Sequence, residues 1–259
     1  MLIAEGLELR GIVDKTSWPR GEWDSEPDKV IWYDETKFPC LILRGIVGSL
    51  NGYVGVPVYH PAYGLSYDGE TKHDHDEYFK AFREQVRKRD RSKSILEAVD
   101  FNSLPSKPVV PGIGDKLLNI RVHGGLTFAG PSLVITKEMW EHDKKSIDWN
   151  QKQAVGYPYG DSAEWLKEWL PVINNYKTWS DKRKATSICL HSEEPDETWW
   201  FGFDCAHTWD RRPKIEALSS SLGLHYPKHT DPELEIGYKN IEFVENECRS
   251  LAKQLKELE

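Results

Sequence analysis

Apolar runs in three parts of the chain predict strands, of which the longest is a buried strand. Val30–Tyr33 is a short run, residues 40–47 form a nearly continuous run, and Tyr53–Val56 follows a turn sequence at residues 48–52. Runs of this length are typical of buried strands, and two runs joined by a glycine-rich turn indicate a β-hairpin. The segment 117–123 alternates between apolar and polar residues, which predicts a further strand.

A fourth apolar run, Trp199–Phe203, ends in ionisable residues. The two-residue period of a strand places Phe203 and Cys205 on one face and Asp204 beside Gly202 on the other. Because glycine has no side chain, we expect room for a ligand next to the Asp204 carboxylate. The alternative is that Asp204 only caps the turn that follows the strand.

Apolar residues spaced by three and four positions predict three helices. Residues 76–89 form one, and residues 161–179 form another, which begins at Asp161 and which Pro171 should kink or divide. The third lies at the C-terminal end and carries an apolar stripe of Ile241, Val244, Cys248, Leu251, Leu255 and Leu258. We expect this amphipathic helix to pack on the body of the same chain, because about 2.5 heptads are too few for an autonomous coiled coil.

This mixture of hairpin signals and helices predicts the α+β class, with an antiparallel or mixed sheet and helices packed on it. The chain shows no internal repeat and no long linker, so we expect residues 1–259 to form a single domain. The net charge of −8 argues against a protein that binds duplex nucleic acid. No apolar window reaches the roughly 18 residues of a membrane span, so no membrane partner is expected.

The cysteines predict the compartment of the protein. Cys40, Cys189, Cys205 and Cys248 lie far apart and form no CxxC pair, which disfavours a structural zinc site. Three of them lie in apolar or strand-like surroundings, which is typical of reduced core cysteines. Since the first residues also lack a signal-peptide pattern, we expect a cytoplasmic protein.

Three apolar segments carry a histidine next to glycine or proline where a strand should end. They contribute His60, His123 and His207, and Asp204 precedes the last of them. Because strand ends meet at the edge of a sheet, we expect these four side chains to line one cleft as catalytic residues. They could act as general acids and bases, or they could hold a divalent metal with an open position. A metal-free pair of histidines would also suit cleavage by a ribose 2′-hydroxyl.

The segment around His123 supplies candidate substrate-binding residues. Arg121 lies on the same polar face and could hold a phosphate through two N–H groups. Gly124 and Gly125 permit a close approach of the backbone to a ligand, and Thr127 would contact a phosphate oxygen. The chain has no P-loop and no GxGxxG, HExxH or GxSxG motif, which disfavours kinases, dinucleotide oxidoreductases, zincins and α/β-hydrolases.

Three motifs, GYVGVPVYHPAYG, RVHGGLTF and WWFGFDCAH, are followed by the C-terminal helix sequence EFVENECRSLAKQL. In this order they resemble a family of proteins from tailed-phage and prophage genomes, over about residues 40–259. That family usually carries Ala-Gly-Asp after the last histidine, whereas this chain has Thr208-Trp209-Asp210. The resemblance implies a phage-encoded protein that acts in the cytoplasm of the bacterial host, and it assigns no catalytic residues.

The sequence leaves three functions open. The first is a hydrolase, such as a phosphodiesterase that cleaves a small or cyclic nucleotide signal of host defence, by analogy with other small phage proteins. The second is a protein that sequesters a nucleotide without turnover, for which the 11 tryptophans and Arg121 suit stacking and phosphate contacts. The third is a module that docks on a host protein through the C-terminal helix.

Overall fold

The computed structural model of the chain describes residues 6–45, 47–69, 72–73, 81, 84–85, 106–107, 112–133, 135–153, 169–189, 198–223 and 237–259. The strands are β1 Leu7–Leu9, β2 Lys29–Tyr33, β3 Pro39–Arg44, β4 Leu50–Pro57, β5 Lys72–His73, β6 Ser106–Lys107, β7 Phe128–Pro131 and β8 Thr198–Asp204. The α-helices are α1 Ile113–Leu118, α2 Lys137–Gln153, α3 Tyr176–Thr186, α4 Pro213–Ser221 and α5 Ile241–Lys256.

Six strands form one antiparallel sheet in the order β1-β2-β3-β4-β8-β7. Strands β3 and β4 are the predicted hairpin, and β8 pairs with β4 from Asn51 opposite Asp204 to Pro57 opposite Thr198. Strands β5 and β6 form a separate two-stranded sheet. With helices packed on the large sheet, the α+β prediction is confirmed.

The two faces of β8 are buried against different neighbours. Phe201, Phe203 and Cys205 belong to the main core, whereas Trp200 belongs to a smaller cluster on the other face. This is the alternation that the two-residue period predicts. The expected space beside Gly202 is filled, because a Cβ there would lie 2.3 Å from the ring of Tyr53. Strand β8 therefore has no room for a ligand at this glycine.

Helix α5 packs on β3 and β4 and closes the main core. The buried residues of its stripe are Val244, Cys248, Leu251, Ala252 and Leu255, and Leu258 is buried just beyond the end of the helix. The expectation that this stripe packs on the same chain is confirmed. Its apolar face is therefore not available for docking on a host protein.

A buried guanidinium joins the N-terminal segment, the sheet and the start of α5. Arg44 donates to Asp28 Oδ1 (2.8 Å), Glu26 Oε2 (3.1 Å), the Tyr238 hydroxyl (2.9 Å) and two backbone carbonyls. Glu26 Oε1 in turn accepts the backbone N–H of Ile241, the first residue of α5 (2.8 Å). Burial opposes ionisation of Asp28, but hydrogen bonds from Lys15, Val13 N–H and Arg44 outweigh it and lower its pKa.

A buried lysine fastens the end of α3 to strand β2. The Nζ of Lys29 donates to the carbonyls of Lys184 (2.6 Å), Ser187 (2.8 Å) and Cys189 (3.0 Å). Burial lowers the pKa of Lys29 to about 8. All three protons of the ammonium thus have carbonyl acceptors, as the burial of a charged group requires.

Residues 117–123 do not form the predicted strand. Helix α1 ends at Leu118 and a loop follows it. Leu117 and Ile120, spaced three apart, are buried, whereas Leu118 is 56% exposed. The alternation in the sequence was therefore misleading, and the edge strand β7 that follows was not predicted.

The predicted division of the helix over residues 161–179 occurs after Pro171. Residues 169–173 are helical, and α3 then starts anew with Asn175 as its N-cap, whose side chain accepts the N–H of Thr178 (3.1 Å). Residues 161–168 and most of the predicted helix 76–89 lie outside the described residues.

None of the helices among the residues described is both long and apolar enough to span a membrane. All four cysteines are free and buried, as the sequence predicted for core cysteines.

Leu251→Asp should destabilise the protein by at least about 4 kcal/mol, because it removes a buried leucine and leaves an unpaired carboxylate in the core. Urea unfolding followed by circular dichroism measures the change. Lys253→Ala, at an exposed position on the same helix, is the control and should stay near wild type. A folded, soluble Leu251→Asp protein that only changes from dimer to monomer would show instead that the stripe is an oligomer interface.

Arg44→Met should cost about 3–5 kcal/mol of unfolding free energy, since Glu26 loses its ion pair and Asp28 keeps only that with Lys15. Arg10→Met removes an exposed pair with Glu8 and should cost no more than about 1 kcal/mol. Chemical denaturation of both variants gives the comparison. Equal stability of the two variants would contradict the central role of Arg44.

Candidate functional site

Two loops bring two histidines and an aspartate together beside α5. One loop, residues 119–125, follows α1, and the other, residues 205–210, follows β8. His123 Nε2 lies 2.9 Å from both carboxylate oxygens of Asp210, and His207 Nδ1 lies 2.8 Å from Asp210 Oδ2. The two imidazole rings meet edge to face at 5.2 Å. We refer to His123, His207 and Asp210 as the histidine–aspartate cluster.

Helix α5 holds the first loop by its polar flank. The Gln254 side chain accepts the backbone N–H of Arg121 (2.7 Å) and donates to its carbonyl (2.8 Å). The Glu247 carboxylate accepts the backbone N–H of His123 (2.7 Å), and the ring of Phe243 packs against the His123 ring at 5.3 Å. The position of His123 is therefore set by the helix that completes the core.

Gly124 lets the second loop approach the first. Its φ is +67°, and a Cβ at this position would lie 2.0 Å from Cε1 and 2.1 Å from Nε2 of His207. Glycine is thus required here both for the backbone conformation and for the space that the imidazole fills. Gly125 also has a positive φ, +87°, but a Cβ there would meet no heavy atom of the described residues within 4 Å.

Asp210 is the buried centre of the cluster. It is 2% exposed and also accepts the backbone N–H of His207 (3.0 Å). Burial opposes ionisation, but the hydrogen bonds from His123 and His207 outweigh it, so the pKa of the Asp210 carboxyl lies below its ordinary value. The carboxylate is therefore charged at neutral pH and orients both imidazoles.

The cluster borders an open groove of about 580 Å³. The groove is lined by Arg121, Val122, His123, Gly124, Trp209, Phe243 and Glu247. The indole of Trp209 is stacked on the His207 ring, with 4.9 Å between ring centroids and 3° between planes, and the residue is 46% exposed. A ligand in this groove would meet a guanidinium, an aromatic surface and His123.

Two of the four predicted catalytic residues lie elsewhere. His60 donates from Nε2 to the carbonyl of Leu255 (3.0 Å) and accepts the N–H of Ala62 at Nδ1 (3.1 Å). Leu255 lies 12 residues beyond Phe243, the residue of α5 that packs on His123, which is about 18 Å along the helix axis. Burial lowers the pKa of His60, which caps the end of the helix as a neutral imidazole.

Among the described residues, Asp204 has no hydrogen bond to the cluster; its Oδ1 accepts the N–H of Ala206 (2.9 Å). This is the turn-capping alternative that the sequence left open. Of the four residues, His123 alone lines the groove, whereas His60 and Asp204 bond to backbone groups. The geometry therefore gives no support to a catalytic role for His60 and Asp204, and one cleft for all four residues stays a prediction. His123 and His207 do come together, and their catalytic role stays a prediction.

The predicted substrate-binding residues divide in the same way. Arg121 is exposed and Gly124 borders the groove, whereas Thr127 and Gly125 do not line it. The backbone N–H of Thr127 donates to the Gly202 carbonyl (2.9 Å) and extends the sheet, and Gly125 closes a turn on Val122 (3.0 Å). Their predicted role in substrate binding has no support in this geometry.

Asp210 was not among the predicted site residues. The available signal was its spacing, three residues after His207 and directly after the departure at Thr208-Trp209. A histidine and an aspartate at this spacing are brought together by a turn, which here has Asp210 N–H bonded to the His207 carbonyl (3.0 Å). The bulky Trp209 is accommodated in that turn by stacking on His207.

The arrangement supports two kinds of chemistry. A carboxylate that orients imidazoles is a device of general acid–base catalysis. The same atoms, one from each side chain and all within 4.8 Å of one another, are the one group among the described residues that could hold a metal ion. Comparison with known proteins does not choose between them, because no family model, curated protein or solved structure matches this chain.

Gly124→Ala should displace the His207 ring, whereas Gly125→Ala is the matched control with the same kind of backbone strain and no clash. Each substitution should lower the free energy of unfolding by about 1–2 kcal/mol, because alanine is disfavoured in a left-handed backbone conformation. Only Gly124→Ala should also change the imidazole ¹⁵N chemical shifts of His207 and His123, measured by NMR. Identical spectra for the two variants would show that Gly124 does not set the His207 position.

Proposed function

We propose that this protein is a hydrolase that cleaves a phosphoester bond of a small nucleotide in the groove beside the histidine–aspartate cluster. The observation that carries the proposal is the pairing of two imidazoles with one buried carboxylate at the border of an open groove. A buried carboxylate with a shifted pKa, here Asp210, beside a concave surface is typical of active sites. The hypothesis places the reacting phosphate over His123.

Arg121 and Trp209 support a nucleotide as the substrate. The exposed Arg121 side chain lines the groove and can reach a phosphate, while Gln254 fixes its backbone at both the N–H and the carbonyl. Trp209 keeps one face on His207 and is nearly half exposed, so its other face suits a nucleobase. A phosphate and a base would thus be held by two residues that line the same groove.

Hydrolysis then follows from the position of the cluster. A water oxygen attacks phosphorus, the bond from phosphorus to the leaving oxygen breaks, and one proton moves from the water to the leaving oxygen. The histidine–aspartate cluster would activate that water, and Asp210 would hold both imidazoles in place for it. Arg121 would offset the charge that develops on the phosphoryl oxygens.

The likeness of the three sequence motifs to phage proteins supports a biological setting for this reaction. We infer a phage-encoded enzyme that removes a nucleotide signal of host defence in the bacterial cytoplasm. A cyclic nucleotide has the two features that the groove would select, a base for Trp209 and a phosphodiester for Arg121. Docking on a host protein through α5 is not supported, because its apolar face is buried.

The exposed face of Trp209 also favours the second candidate, a protein that sequesters the nucleotide without turnover. Both candidates use Arg121 and Trp209 in the same way. They differ in the role of Asp210, which a sequestering protein would need only as a support for the imidazoles. Counting product molecules per protein separates them.

Incubation with a 100-fold excess of cyclic and linear nucleotides, followed by chromatography of the products, should show multiple turnovers. Asp210→Asn should lower kcat/KM by about 100–10,000-fold, because the imidazoles lose their charged partner. Asp204→Asn changes the neighbouring carboxylate that only caps a turn and should stay close to wild type. Stoichiometric binding without product would establish sequestration, and the absence of both binding and product would refute both candidates.

Trp209→Ala tests the place of the base. It should raise KM for nucleotides about tenfold or more, because base stacking contributes roughly 1–3 kcal/mol. The KM for bis(p-nitrophenyl) phosphate, which has a phosphodiester and no nucleobase, should rise less. An equal rise for both substrates would assign Trp209 to the support of His207 instead.

A further inference from the structure

We propose that the histidine–aspartate cluster is a centre for one divalent transition-metal ion, held by His123 Nε2, His207 Nδ1 and one carboxylate oxygen of Asp210. This inference rests on the proposed function only for the use of the ion, since the ligands are defined without a substrate. It replaces the ligand set expected from the sequence: Asp210 enters it, and His60 and Asp204 leave it.

The distances within the cluster suit common ligands of one ion. The nitrogens lie 2.8–2.9 Å from the carboxylate oxygens. Two ligands each about 2.1 Å from a metal and at right angles to one another are about 3.0 Å apart. An ion could therefore replace the hydrogen bonds if each N···O pair opened slightly and all three ligand atoms, which lie within 4.8 Å of one another, came within about 4.2 Å, twice the metal–ligand distance. A neutral imidazole needs only to move its proton to the other ring nitrogen to become a ligand.

The charge of the cluster also favours a cation. Asp210 is 2% exposed, and within the described part of the chain its ion-pair partners are His123 and His207 alone. Neither partner carries a permanent charge, and burying a carboxylate without such a counter-charge is costly. A divalent ion at the shared point of the three side chains supplies that charge.

The surroundings hold the three ligands before any ion arrives. Asp210 is fixed by the His207 N–H, and His207 lies between the Gly124 backbone and the Trp209 indole. His123 is held by its N–H bond to Glu247 and by the Phe243 ring. Such outer contacts orient metal ligands and tune their affinity.

Three protein ligands leave positions open for water and substrate, which is the pattern of catalytic rather than structural metal sites. The groove beside His123 gives access to those positions, and the Glu247 carboxylate also lines it. A water bound to the ion would have a lowered pKa and would serve as the nucleophile of the proposed hydrolysis. Two nitrogens and one oxygen favour Zn²⁺, Mn²⁺, Fe²⁺ or Co²⁺ over Mg²⁺ and Ca²⁺, which prefer oxygen ligands.

Metal binding is measured directly on the full chain after chelator treatment. Isothermal titration with Zn²⁺, Mn²⁺ and Co²⁺ should give one ion per protein, whereas Mg²⁺ should bind far more weakly. Asp210→Asn should weaken binding by more than about 100-fold, since even outer partners of a metal site are worth 10–100-fold. His142→Gln, an exposed histidine on α2, and Asp204→Asn are the matched controls and should bind like wild type.

A second measurement needs no variant, in case Asp210→Asn folds poorly. X-ray absorption of the zinc-loaded wild type should show two imidazole ligands, with nitrogen and oxygen neighbours at about 2.0–2.2 Å. Absence of stoichiometric binding, or a spectrum without two imidazoles, overturns the metal centre. Turnover that persists after excess chelator has removed the ion would overturn the catalytic use of the ion while leaving the hydrolase intact. A bound ion without turnover of any nucleotide would overturn the hydrolase and leave the metal centre standing.

Discussion

The burial of the apolar stripe of α5 against the sheet is the contact on which the rest of the structure depends. Each buried leucine or valine of the stripe is worth about 1.5–3 kcal/mol. The three hydrogen bonds that tie residues 121–123 to the same helix are worth about 1 kcal/mol each. The helix is therefore fixed by the core, and the loop that carries His123 takes its position from the helix.

Both ends of α5 are fixed by polar side chains from the sheet region. Glu26 accepts the N–H of Ile241 at the start, and its own position is set by Arg44. His60 donates to the Leu255 carbonyl near the end. These contacts satisfy backbone groups that a helix leaves unpaired at its termini. They also fix the rotation of the helix and its position along its own axis. Glu247 and Gln254 are thereby placed against the loop of residues 119–125.

The sequence predicted the elements whose apolar residues face the core in a regular period. The hairpin β3–β4, strand β8 and helix α5 belong to this group, because continuous burial leaves a continuous pattern. The strand prediction for residues 117–123 was wrong because a short helix followed by a loop also buries Leu117 and Ile120 while leaving Leu118 exposed. Patterns shorter than two helical turns do not distinguish these cases.

The candidate site was only half predicted, because strand-end polar residues look alike in sequence. His60 and Asp204 are satisfied by backbone groups nearby or on α5, whereas His123, His207 and Asp210 are satisfied by one another. Which of these occurs depends on contacts between distant loops. A backbone partner leaves the side chain with a structural task, since its hydrogen bond completes a turn or a helix end.

The bond between His123 and Asp210 is different, because it joins titratable side chains of two separate loops and completes neither a turn nor a helix end. Gly124 shows that this meeting is built into the chain: its missing side chain is the space in which the His207 ring lies. Three further residues hold the cluster together: Gly124 with its left-handed backbone, Glu247, which accepts the His123 N–H, and the stacked indole of Trp209. The fold alone does not require so specific an arrangement of three side chains. The same three groups could satisfy their hydrogen bonds with water if they lay apart. Their convergence at the border of a groove is the argument for chemistry there.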